Sequence, residues 1–407
     1  MPVRALPVLA AMALAASGAV AEGPYRPNRA DQVLEQLQLP RLAGAASLLE
    51  LRNRWTAQPA HVPSALAYAR AALELNRREE DPRYLGYAQV ALGTWWNQPG
   101  APPEVLLLRA AVQLARHDIA AAERDLQALI DSPAPEGHMA RITRAGLRLS
   151  QGEPVAALAD CNAAKLHTSA LVGLTCSAAA QGLQGDAANA LQRLEAALLD
   201  AADAPLATEL WSRGVAAELA QRLGRSAQAR SHFDHALRRM AASASPDPGL
   251  LAACADFLLA QGEARQVQAL LLAYPRHDSL VLRLALARQL LGHAGDTAAA
   301  AAAKAHSRHL ALRFEEMRQR GDLSHLREQA LFALELQGNA QAALRVIGQA
   351  WTLQREPVDA RITLRAARLA AQPGAAAPVL AWLRQTGLQD VRLAFELAQL
   401  PTQGARQ

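Results

Sequence analysis

Apolar residues return every three or four positions through most of this chain, in runs of about 10 to 20 residues, the period of a helix with one face turned inward. Between the runs stand Gly, Pro, Asp and Ser, residues that stop one helix and cap the next. The pattern predicts helices near 30–38, 45–57, 63–79 and 83–96. Pairs follow at 103–116 with 118–131, 136–151 with 153–165, 168–183 with 186–200, and 205–223 with 225–242. They continue at 247–261 with 263–273, 278–291 with 296–320, and 322–337 with 340–354, before helices at 357–371, 376–386 and from 390. The fold class expected is all-α.

A second pattern lies over the first. Gly152 is followed at fixed offsets by Ala157, Cys161 and Ala164; Gly185 by Ala190, Leu194 and Ala197; Gly224 by Ala229, Phe233 and Ala236; Gly338 by Ala343, Ile347 and Ala350. Seven positions before successive turns stand Ala110, Ala145, Ala178, Ala217 and Ala255, the first preceding a turn at His117 and Asp118. Fixed offsets of this kind mark a stacked helical array, in which each unit buries its apolar face on its neighbours. Small residues recur because closely crossing helices leave room for a methyl group and little else.

Composition agrees with helices: Ala is close to a quarter of the 407 residues and aromatics only 4%. The net charge of +5 comes from 42 basic residues, of which Lys165 and Lys304 are the only lysines, leaving 42 − 2 = 40 Arg. They are scattered, whereas nucleic-acid binding needs a concentrated stripe, so no nucleic-acid partner is expected. Near-neutral mean hydropathy excludes a polytopic membrane protein.

These offsets are similar to the tetratricopeptide repeat, a helix–turn–helix unit with a Gly-containing turn. The resemblance covers most of the chain and implies a right-handed superhelical solenoid of antiparallel helix pairs over 63–400, preceded by a leader and capping helices at 22–62. Departures are visible. Gly262 is followed by Val267, Leu271 and Tyr274, Gly295 by Ala300, Lys304 and Ser307, and turn-to-turn spacings run 35, 33, 39, 38, 33 and 43. The first units lack the Gly. The stretch from Asp81 to Trp96 resembles one in exported repeat proteins of proteobacteria and implies no activity.

Residues 1–21 read as a signal peptide: Arg4 supplies the positive end, Ala5 to Ala16 the apolar stretch, and Ala19, Val20 and Ala21 a cleavage site before Glu22. The mature chain is then expected without a membrane span, in the periplasm or secreted. In that oxidising setting Cys161 and Cys176 are candidates for a disulfide across the Lys165 to Thr168 turn, the alternative being two small residues filling a tight crossing. Cys254 has no evident mate. A frayed tail is expected at 401–407.

Function in such an array belongs on the surface lined by the first helix of each pair. Framing the units on their turns places Trp211, Glu218, Gln221 and Arg222 there, with His325, Glu328 and Glu335 further along. Aromatic and Arg anchors suit an extended peptide or partner helix, and a glycan or lipid-linked precursor is the alternative occupant. Tyr84, Tyr87, Trp95 and Trp96 are either a docking patch or core. His232 with His235, and His306 with His309, are three apart on a helix, yet neither pair has a third ligand nearby, so no metal is expected. No nucleophile elbow, dinucleotide fingerprint, zinc-protease motif or phosphate loop occurs, so neither enzyme activity nor a cofactor is expected. The superhelical part of a murein-cleaving enzyme is the remaining catalytic alternative, and it would need a separate lysozyme-like domain.

Overall fold

The computed structural model describes Arg29, residues 45–243 and residues 246–401. The expected signal peptide at 1–21, the helix at 30–38 and the tail beyond Pro401 lie outside the described residues. The chain divides into two units, Met1–Ala45 and Ala46–Gln407, and the helices described here belong to the second, the first of them starting at the boundary.

Among the described residues every regular element is helical. The helices are α1 (Ala45–Ala57), α2 (Val62–Glu79), α3 (Arg83–Ala91), α4 (Pro103–Ala115), α5 (Ile119–Asp131), α6 (Glu136–Ser150) and α7 (Pro154–Ala164). Then come α8 (Ala170–Gly182), α9 (Ala187–Leu199), α10 (Leu206–Arg222), α11 (Ser226–Ser243), α12 (Pro248–Ala260), α13 (Ala264–Leu271) and α14 (Asp278–His293). The last are α15 (Thr297–Gln319), α16 (Leu326–Leu331), α17 (Ala340–Leu353), α18 (Pro357–Leu369), α19 (Ala377–Thr386) and α20 (Val391–Ala398). Starts carry the expected chemistry. Pro opens α4, α7, α12 and α18, where its missing N–H has no helical partner to lose. The carboxylates of Asp118, Asp247 and Asp296 accept the N–H groups of Ala121, Leu250 and Ala299.

Most helices pack on their sequence neighbours, and alternate helices also touch: α2 with α4, α4 with α6, α6 with α8, α8 with α10, α10 with α12, α12 with α14, and α16 with α18. The repeated offsets fall at these contacts. Ala157, Cys161, Ala164, Ala190, Leu194, Ala229, Phe233, Ala236, Ala343, Ile347 and Ala350 are all buried, as are Ala110, Ala145, Ala178, Ala217 and Ala255. The turns between them require a left-handed residue, and Gly152, Gly185, Gly224, Gly262, Gly295 and Gly338 all have positive φ. His117 takes the same conformation at φ 59° in the unit without a Gly.

The interior is a series of local cores. One joins Leu48 through Ala140, the next Ala145 through Ala180, another Leu171 through Ala299, and others follow to Leu393, each built from helices close in sequence. Several contacts between segments far apart in sequence are polar and lie at helix ends. Glu80 Oε1 lies 2.9 Å from His277 Nδ1, and Glu80 Oε2 accepts the Asp278 N–H. The Ser150 carbonyl accepts the Arg355 N–H, and Arg77 pairs with Asp247.

Cys161 and Cys176 form a disulfide joining α7 to α8, with Cα atoms 5.5 Å apart; Cys254 is a buried free thiol. Two expected helices differ. The one at 83–96 ends at Ala91 and continues as a single 3-10 turn, Gly93–Trp95, because the buried Arg109 guanidinium takes the carbonyls of Trp95, Trp96 and Gln98. The one at 322–337 starts only at Leu326, since Asp322 draws in the Ser324 N–H and hydroxyl as a tight turn, and it widens to a π turn at Phe332–Leu336.

Candidate functional site

The helices α10, α12, α14, α16 and α18 follow one another along the array, and α20 packs across α18 and α10. Of the expected residues, Glu218, Gln221 and Arg222 come together with α20: Arg222 donates to Glu218 at 2.8 Å, and Arg392 donates to Gln221 at 3.2 Å and to Asp390 at 2.6 Å. Burial raises the pKa of Glu218 and Asp390, but the neighbouring guanidinium groups of Arg222 and Arg392 outweigh it, and both carboxyls lie below their usual values.

Arg222 itself is not presented to a ligand. It is buried, with Nε and Nη1 lacking hydrogen-bond partners, and it lies against α8, where a Cβ added at Gly182 would come within 2.8 Å of its Nη1. Trp211 is 38% exposed and stands apart from this cluster. His325 stands at the start of α16 without a side-chain capping bond; against burial, the Ser324 hydroxyl and N–H, and then His325, hold the Asp322 carboxyl below its usual value. Glu328 stands 3.9 Å from Arg283. Arg327 beside it holds Asp359 at 2.6 Å and Glu356 at 2.6 Å, so this part of the face is a closed ionic network.

Glu335 lies in the π turn, whose carbonyl at that residue accepts the Gln289 amide from α14 at 3.1 Å. The side chain faces a cavity of ≈ 640 Å³ between α12, α14, the end of α16, α18 and α20. Its walls are mainly apolar and include Leu290, Leu334, Ile362, Val391 and Phe395. Three of these stay open to solvent: Leu290 at 45%, Val391 at 49% and Phe395 at 65%. Burial pushes the Glu335 carboxyl up from its usual range, against the opposing pull of Arg365 at 3.2 Å.

Arg361 also lines the cavity, and its half-buried guanidinium has no hydrogen bond or ion pair among the described residues. Burial, then the like charge of Arg392, lower its pKa from the usual value, while Asp256, Asp390 and Glu396 act on it only from beyond ion-pair distance. The framing on first helices would have led to Arg361, which sits on α18. Arg392 and Phe395 carry no such signal, because nothing in the repeat offsets says that α20 folds back across α10.

The other candidates resolve into structure. Trp95 is buried, whereas Tyr87 is 43% exposed and meets Tyr84 edge-on at 5.9 Å between ring centres. His232 and His235 turn to different carboxylates, Glu195 and Glu209, each at 2.9 Å. His306 meets Arg288, and His309 faces Asp278 at 4.0 Å. Among the described residues no helix is long and apolar enough to cross a membrane.

No protein-family model matches this chain, and no curated protein matches it.

Proposed function

We propose that this chain is an exported scaffold with no chemistry of its own, a right-handed superhelical solenoid of tetratricopeptide-like helix pairs that binds a protein or peptide partner along the face of its first helices. The observation that carries this reading is the make-up of that face. Exposed Leu290 and Phe395 stand beside the guanidinium and carboxylate groups of Arg361, Arg365, Glu335 and Glu396, and Trp211 is exposed on α10. Aromatic and aliphatic anchors inside a fixed polar frame are what an extended partner needs for both affinity and register. Export is supported by the Cys161–Cys176 bridge, a bond that persists in oxidising compartments, and by the leader-like sequence at 1–21.

A photo-reactive phenylalanine introduced at Trp211, Leu290 or Phe395 is expected to trap a protein partner in intact cells. The same group at Arg193 on α9 or Arg345 on α17, both exposed on second helices, is expected to trap none. Adducts formed equally from both sets, or carbohydrate adducts from the first set, would overturn the reading.

A further inference from the structure

The cavity walls carry three carboxylates, Asp256, Glu335 and Glu396, and three guanidinium groups, Arg361, Arg365 and Arg392, but they are unevenly paired. Arg283 pairs with Asp256 at 2.8 Å, Arg365 with Glu335 at 3.2 Å, Arg392 with Asp390 at 2.6 Å and Arg368 with Glu396 at 3.7 Å, which leaves Arg361 as one guanidinium without a carboxylate. A cation in a largely apolar recess is costly unless something neutralises it. Asp256, Asp390 and Glu396 offset the Arg361 charge only from beyond ion-pair distance, and no carboxylate sits on it.

We propose that this cavity binds an apolar monocarboxylate, its head on Arg361 and its body along Leu290, Leu334, Ile362 and Phe395. The volume of ≈ 640 Å³ falls within the span of about 300–1,000 Å³ that small-ligand sites occupy. A planar guanidinium with free N–H groups matches a carboxylate in two parallel hydrogen bonds. A single carboxylate suits the one guanidinium that has no close partner. A phosphate ester carries about −1.5 to −2, and the excess would stand beside Glu335 and Glu396.

The polar inventory of the walls also disfavours peptide backbone running inside the cavity, as distinct from a partner lying along the exposed face. Entering backbone would bring N–H and C=O groups that need partners, and the side-chain amide of Gln289 is already given to the Glu335 carbonyl. An aliphatic or ring-bearing body asks for none. This site goes beyond partner capture along the face: it shares Leu290 and Phe395 with that reading, so acid and partner would compete there, but acid binding to the free chain does not require a partner.

The test is calorimetric titration of the full chain with decanoate below its micelle-forming concentration, with decyltrimethylammonium and decyl phosphate as the other two arms. One decanoate per chain is expected, with decyl phosphate weaker and decyltrimethylammonium silent. Arg361→Gln is expected to weaken decanoate at least tenfold, Arg361→Lys less, and Phe395→Ala severalfold. Phe395 is mostly exposed, so its variant keeps the test open even if the Arg361 variants fold poorly. Equal binding of the cationic amphiphile, tighter binding of the phosphate, or decanoate affinity unchanged in both Arg361→Gln and Phe395→Ala would overturn the assignment.

Discussion

The indole Nε1 of Trp382 donates a hydrogen bond of 3.0 Å to the carbonyl of Gly152, across 230 residues of chain. Trp382 is buried in the core between α18 and α20, and its ring meets Trp351 edge-on at 5.6 Å. Gly152 sits in the left-handed turn between α6 and α7. A repeat glycine thus serves two purposes here, turning the chain and receiving a side chain from a distant helix.

That double use separates two substitutions that look alike in sequence. Gly152 and Gly262 share φ near +76°, so Ala at either costs about 1–2 kcal/mol for the left-handed backbone. At Gly152 the added Cβ would also stand 2.6 Å from Trp382 Nε1 and 2.8 Å from Arg355 Cβ, while at Gly262 it meets nothing. Urea unfolding is expected to show Gly152→Ala worse than Gly262→Ala by about 1–3 kcal/mol. Equal losses would mean that the Trp382 contact does not hold in solution.

The Arg109–Asp125 pair is the most enclosed ion pair on the inner side of α4 and α5, with two bonds of 2.6 Å and both residues buried. Asp125→Ala leaves the guanidinium charge without a counterion and is expected to cost about 3–5 kcal/mol. Thermal and urea melts of the variant measure it. A loss under 1 kcal/mol would place solvent at this pair.

The disulfide closes a loop with a sequence separation of 15 residues between α7 and α8. Loop-closure entropy for that length is worth about 3 kcal/mol. Replacing both Cys161 and Cys176 by Ser is expected to lower stability by about 2–4 kcal/mol. The change should concentrate in amide exchange of α6 to α9, because the core there is local.

Glu80 gives a pH signature. Burial raises its pKa, but the His277 hydrogen bond and charge outweigh burial and hold it below the usual 4.5. A carboxyl lowered in the folded state stabilises above its unfolded pKa, and that stability is lost as pH falls through the folded value. The stability difference between wild type and Glu80→Gln is therefore expected to shrink as pH drops from 5 towards 3, across the usual 4.5. A difference that grows on acidification would reverse the assigned sign.

Much of the helical order was legible because two independent signals coincide. Gly at a left-handed turn and Ala at the crossing that follows are both forced by geometry, and sequence alone located α4 to α15 to within one or two residues at most ends. One unit escaped notice: Gly321, at φ 66°, is followed by Leu326, Ala330 and Ala333, all buried, at the same offsets. Its turn lies between helices of unlike length, α15 and α16, which hid the register. The polar contacts between distant segments were illegible, since an ion pair such as Glu80–His277 leaves no periodic trace. Arg222 misled for a related reason. Helical spacing gives its direction, but not that Gly182 on the facing helix opens a slot for it.

The claim that local cores in series build this protein is tested most directly by amide hydrogen exchange of the full chain at rising urea. Amides in α2 to α5, whose core spans Leu48 to Ala140, are expected to open at a different urea concentration from those in α10 to α14, whose core lies within Leu171 to Ala299. A single common midpoint for all helices, with the denaturant dependence of whole-chain unfolding, would contradict it.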